Sequence, residues 1–100
     1  MNNAELQITD NEFLRQFETT IDDELATIEY AQQEHKIFLT KLLMSEEARE
    51  KGYMDAFIEA VLNEIRERNT RVMPTSPEIA KFMRKHKRRY KDLLPVGINI

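Results

Sequence analysis

Ser45-Glu46-Glu47-Ala48-Arg49-Glu50-Lys51-Gly52-Tyr53-Met54 joins the most apolar run of this chain to its most regular helix. Beyond it, Met54, Phe57, Ile58, Val61, Leu62 and Ile65 fall at i, i+3, i+4, i+7, i+8 and i+11, with Asp55, Glu59, Glu64, Arg66, Glu67 and Arg68 on the other side. That period predicts an amphipathic helix running to Asn69. Before it, Ile37-Phe38-Leu39-Thr40-Lys41-Leu42-Leu43-Met44 is apolar on both faces, which predicts a central strand covered on each side. A strand, a turn carrying Arg49, Lys51 and Gly52, then a helix start can hold a phosphate. The helix N-terminus points unpaired N–H groups and a partial positive charge at the turn. The same residues also admit a purely structural reading. Ser45 is a good N-cap, Glu46 and Glu47 suit a first turn, and Gly52 suits the residue after a helix. Residues 45–51 would then be a short helix closed by glycine, and the local pattern alone favours this.

Working outward towards the N-terminus, Gln32-Gln33-Glu34-His35 is a polar connection, and Leu25 to Tyr30 reads as a strand with Ala26, Ile28 and Tyr30 inward. Ile21-Asp22-Asp23-Glu24 reads as a turn. Glu12 to Thr20 reads as a half-buried strand with Phe13, Arg15, Phe17 and Thr19 on one face. Residues 1–11 carry little pattern and are expected to fray. Towards the C-terminus, Thr70-Arg71-Val72-Met73 is a short strand returning parallel to residues 37–44. Ser76 as N-cap with Pro77 at the first helical position then opens a last helix, whose inner stripe is Ile79, Phe82, Met83 and His86. Leu93 to Ile100 is an apolar tail expected to dock. The expected order βββαβα is a single α+β domain over residues 1–100, an antiparallel meander followed by αβα, with helices packed on a mixed sheet.

Composition narrows the function classes. The 41% hydrophobic and 33% charged fractions describe a globular chain rather than a disordered one. The absence of Cys excludes a disulfide scaffold, a thiolate zinc site and a cysteine nucleophile. The N-terminus is polar and no apolar run approaches a membrane span, so the cytoplasm is the expected location. Charge is segregated: residues 1–48 carry a net −8, residues 49–77 balance, and residues 78–100 carry +5. The asymmetry places an anion-binding zone near the C-terminal helix.

Taken in order, these motifs resemble the small GNAT-like N-acetyltransferases, a compact branch of the acetyl-coenzyme-A-dependent GNAT superfamily. Phe17-Glu18, Leu25-Ala26 with Glu29-Tyr30, the loop Arg49-Glu50-Lys51-Gly52 and the helix Ala56 to Arg68 fall in family register. So do Pro74-Thr75-Ser76-Pro77, Ala80, His86, Tyr90 and Asp92-Leu93-Leu94. The likeness spans residues 12–94. The chain departs from the pattern where Glu50 replaces a loop glycine, and Met54 stands where a small residue is usual. Ser76 stands for a cysteine, and Lys41-Leu42-Leu43-Met44 for His-Thr-Glu-Val. An extra residue separates His86 from Tyr90.

The resemblance implies binding of acetyl-coenzyme A and transfer of the acetyl group to a primary amine on a small molecule or protein. It assigns the diphosphate of coenzyme A to Arg49, Lys51, Gly52, Tyr53, Met54 and Asp55, with Glu50 opposing by like charge. A backbone N–H near Leu42 to Met44 would polarise the thioester carbonyl. Lys41 and Ser76 are the candidates for catalytic roles, both poor. Lys41 needs burial to act as a base, and Ser76 needs an adjacent base to act as a nucleophile. His35 and His86 make no metal site. Two other functions stay open: a GNAT-fold binding module without catalysis, and polyanion binding through Arg84-Lys85-His86-Lys87-Arg88-Arg89-Tyr90-Lys91. Against nucleic acid stand a pI near 5.4 and only Phe82 and Tyr90 as stacking rings.

Overall fold

Asp22 and Asp23 both take left-handed backbone angles, φ 52° and 67°. They thereby build the two-residue turn whose twist suits a hairpin, a conformation that Asp tolerates because its short side chain bonds locally. In the computed structural model, which describes residues 6–98, this turn joins β2 (Gln16–Ile21) to β3 (Glu24–Gln33). Glu34, also left-handed at φ 52°, turns the chain into β4 (Lys36–Leu43). A short β1 (Thr9–Asn11) pairs with the outer edge of β2. After β4 come α1 (Glu46–Glu50), α2 (Tyr53–Glu67) and β5 (Arg71–Pro74), then α3 (Pro77–Lys85), α4 (Lys87–Tyr90) and a 3-10 turn at Lys91–Leu93. The sheet order is β1-β2-β3-β4-β5, antiparallel until β5 pairs parallel with β4. This is the α+β meander with a mixed sheet that the pattern predicts.

The two periodicities meet in one core. Phe17 and Ile21 of β2, Ala26, Ile28 and Tyr30 of β3, and Ile37, Leu39 and Leu42 of β4 point to one face of the sheet. Against it lie Phe57, Ile58, Val61, Leu62 and Ile65 of α2, all fully buried, with Ile79, Phe82 and Met83 of α3. Each such side chain contributes about 1.5–3 kcal/mol of transfer free energy, so this stripe, more than helix propensity, holds α2 in place.

Several expectations are corrected. Residues 12–15 are a turn, not strand: Asn11 Oδ1 accepts the Leu14 N–H at 3.0 Å, Arg15 is left-handed at φ 57°, and Phe13 is 93% exposed. An Asx turn defeats the alternation there. The segment expected to fray instead supplies β1, and Leu6 and Ile8 pack on the core; residues 1–5 lie outside the described residues. The central strand is covered on one face only, since Leu43 is 45% exposed. The last helix stops at Lys85, and His86, at φ −115° and ψ 43°, separates it from α4. Of the tail, Leu93 and Leu94 dock while Val96 stands 97% exposed; Asn99 and Ile100 lie outside the described residues.

Candidate functional site

β4 and β5 pair from Lys36 opposite Arg71 to Leu39 opposite Pro74, and stop. Pro74 has no N–H to donate. On β4, Thr40 is an extra residue, because Tyr30 faces Leu39 while Glu29 faces Lys41. Such a bulge bends its strand and re-aims the side chains beyond it. The Leu39 carbonyl then accepts from Thr75 N–H (3.1 Å), Ser76 N–H (2.9 Å) and Thr75 Oγ1 (3.1 Å), which leads the chain off β5 into α3. Lys41, Leu42 and Leu43 run on without a β5 partner. The parallel pairing therefore ends in a split, where β4 runs on and the chain after β5 turns away into α3.

Over this end of β4 stand α1 and the turn into α2. Ser45 Oγ accepts the Ala48 N–H at 3.1 Å, the cap expected from its position. Gly52 takes φ 88° and donates its N–H to the Arg49 carbonyl at 3.0 Å. The structural reading of residues 45–51 thus describes their local geometry. A Cβ on Gly52 would meet nothing within 4 Å, so glycine answers the backbone angle rather than crowding, and the space above the turn is open. Gly52 gives α2 no side-chain cap. The first-turn amides of Tyr53, Met54 and Asp55 keep the positive end of a fifteen-residue helix directed at that space.

The cations beside the turn are engaged. Lys51 Nζ pairs with Asp22 Oδ2 at 2.9 Å, and that hydrogen bond raises its pKa. Arg49 donates Nε–H to the Met44 carbonyl at 3.1 Å, pairs through Nη1 with Glu78 Oε2, and places Nη2 3.5 Å from Glu78 Oε1. Its Nη1 also lies 3.5 Å from the sulfur of half-buried Met54. Asp55 and Glu50 are exposed on either side of the turn. Arg49, Lys51, Gly52, Tyr53, Met54 and Asp55 thus share one turn, with the Arg49 side chain directed to Glu78 of α3 and that of Lys51 to Asp22 of the β2–β3 turn. Glu78 and Asp22, each 29 residues from its cationic partner, carry no sequence signal of their own.

The two catalytic candidates are not brought to one centre. Ser76 is 2% exposed and caps α3 by accepting the Ile79 N–H at 3.5 Å. Lys41 is exposed on β4 opposite Glu29, with Leu42 the next residue turned into the core. The remaining register residues serve the scaffold. Tyr90 is buried against Phe82, with the guanidinium groups of Arg66 and Arg89 5.5 and 5.2 Å from its ring centre. Its hydroxyl has no hydrogen-bond partner among the described residues, and burial pushes its pKa up. Asp92 accepts from Arg66 Nε and Nη2 at 3.0 and 2.9 Å, which lowers its pKa.

The family model described as GCN5-related N-acetyl-transferase matches residues 16–93 of the chain. This protein belongs to that family. The solution NMR structure of a GCN5-like protein from Staphylococcus aureus is similar in fold: TM-score 0.66, 24% sequence identity, covering 97% of this chain and 94% of that one. No curated protein sequence matches the chain. In this GNAT domain the matched segment runs from the start of β2 to the turn after α4, and so contains the split, the Gly52 turn and α2 whole. Among the described residues no helix is long and apolar enough to cross a membrane, and no cluster of three His, Cys, Asp or Glu side chains forms a metal site.

Proposed function

We propose that the chain binds acetyl-coenzyme A along the β4–β5 split, with the diphosphate over the Gly52 turn, and transfers the acetyl group to a primary amine. The observation that carries this is a coincidence of place within a GNAT domain. The unpaired end of β4, the N-terminus of α2 without a side-chain cap and a left-handed glycine with open space above it follow one another along the chain. The residues present fit the coenzyme in part. The amides of residues 53–55 supply donors for the diphosphate, Gly52 leaves room for its approach, and Arg49 and Lys51 supply positive charge. Glu50 opposes them. When bound, the coenzyme supplies the activated acyl group as a thioester. The unpaired edge of residues 41–43 offers backbone N–H groups to a carbonyl lying in the split, the kind of donor that stabilises a developing oxyanion. A small-molecule or protein amine is the acceptor, and the cytoplasm the location, that this reading entails.

One observation favours a second reading, a GNAT-fold binding module without catalysis. The Ser76 hydroxyl is committed to its cap, and Lys41 lies exposed on its strand, so neither is placed as a base. The basic C-terminal segment is read as a solvated face rather than a nucleic-acid surface.

The test is the ligand-induced melting shift. A ligand at ten times Kd that binds only the folded state stabilises it by about 1.4 kcal/mol, or about 6–11 °C for a domain of this size. Glu50→Gly is expected to enlarge the coenzyme A shift, and Gly52→Val, strained at φ 88°, to abolish it. If parent and variants respond alike, or none responds at millimolar coenzyme A, the site assignment falls. If coenzyme A binds but no amine is acetylated, the binding-module reading replaces the enzyme.

A further inference from the structure

Arg49 reaches from the end of one strand of the split to the helix that follows the other. Its Nε–H is held by the carbonyl of Met44, the residue after β4, while its Nη groups engage Glu78 in the first turn of α3, four residues beyond the end of β5. The side chains of the pair are 31% and 39% exposed, so the contact lies at the surface rather than in the core. It joins the two segments that follow the last β4–β5 pair, Leu39 with Pro74. Glu78 also sits in the first turn of α3, where the helix dipole favours its carboxylate whether or not Arg49 is present. Releasing the guanidinium therefore does not leave Glu78 without stabilisation.

We infer that Arg49 and Glu78 form a strap over the mouth of the split, and that a diphosphate ligand recruits Arg49 only by displacing Glu78. Resting on the coenzyme reading above, this names the regulation of that site: an internal carboxylate competes with the ligand phosphates for one guanidinium. The exchange is chemically balanced, because a planar guanidinium pairs with carboxylate and phosphate oxygens through the same donor fork. The Nε–H bond to Met44 keeps the base of the fork in place while its outer N–H groups change partner. Affinity is thus held below what the turn alone would give, and rises when Glu78 loses its charge. Lys51 differs: its partner Asp22 lies in the β2–β3 turn, so that pair does not join the two sides of the split.

The experiment is a calorimetric titration of the full chain with coenzyme A for the parent, Glu78→Gln, Arg49→Gln and the double variant. A partly exposed ion pair corresponds to a factor of about three, so Glu78→Gln is expected to tighten coenzyme A about threefold. Arg49→Gln is expected to weaken it by a similar factor, and Glu78→Gln made on that background to change nothing further. The Arg49 Nε–Hε resonance in the parent is expected to shift on adding coenzyme A, and to start from a different position in Glu78→Gln. Tightening of equal size with and without Arg49 would show a general effect of removing negative charge, and overturns the strap. So does parent binding that Glu78→Gln leaves unchanged or weakens, though the coenzyme site then stands. If none of the four proteins binds, the coenzyme site falls and the strap with it.

Discussion

Tyr30 shows how one side chain ties the unanticipated first strand to the rest. Its hydroxyl donates to Asp10 Oδ1 at 2.6 Å, and Asp10 Oδ2 accepts from Arg68 Nη1 at 2.9 Å. Burial first, and then the bond to Asp10, push the Tyr30 pKa up to about 12 from its ordinary 10.0. A raised pKa on a phenol means that the fold favours the protonated form. The contribution is therefore complete below pH 10 and lost as pH rises from 10 to 12, where the unfolded chain ionises first. Melting measured across that interval is expected to drop, and Tyr30→Phe to remove most of the drop while lowering stability at neutral pH by about 1 kcal/mol. A parent whose stability is flat to pH 12 would contradict this. In sequence Tyr30 reads as an inward strand residue, as found, but Asp10 lies where no periodicity points to a partner. Arg49 is similar: its type and place in the turn are legible, while its engagement with Glu78 depends on where α3 begins in space.

Helix starts were the most legible elements, because a cap is a local chemical fact. Ser45 and Ser76 both accept the amide three residues on, as Ser before an acidic or proline-led first turn should. Ser76→Ala is expected to cost about 1 kcal/mol in a denaturant melt and to leave acetyl transfer, where measured, nearly unchanged. Loss of transfer with coenzyme binding and stability intact would make Ser76 part of the chemistry. The α2 stripe was equally plain, since Phe57, Ile58, Val61, Leu62 and Ile65 keep one period and are all fully buried. Strand limits were harder. The Thr40 bulge shifts the register of β4 by one residue, so Leu39 and Leu42 both face inward although three positions apart. Nothing in Leu39-Thr40-Lys41-Leu42 announces it. Yet the bulge falls one residue past Leu39, whose pairing with Pro74 is the last between β4 and β5. The irregularity beside the proposed site was thus the least readable.

At the scale of the molecule, the order of strands in the sheet is the order in the chain. Three pairings close through short antiparallel connections, and only β4 with β5 requires a crossover, through α1 and α2. Contacts of small sequence separation form early because little loop entropy opposes them, and a parallel pairing across a helix pays that cost before it gains anything. The meander and α2 should therefore collapse before β5 docks. Val72 is the fully buried residue of β5, and Val72→Ala should remove about 2 kcal/mol. In stopped-flow refolding most of that loss is expected in a faster unfolding rate, by more than tenfold, with the refolding rate changed less than threefold. Ile28→Ala, in the meander, should divide its effect the other way. Equal slowing of refolding by both would show that β5 is already in place at the barrier. If β5 is last to arrive, it is also first to leave. The β4–β5 seam would then unzip in excursions that spare the hairpins, visible as faster amide exchange in β5 than in β2 and β3. With coenzyme A bound as proposed, such a molecule would carry its ligand on a late-forming seam, and the ligand would act as the missing stitch.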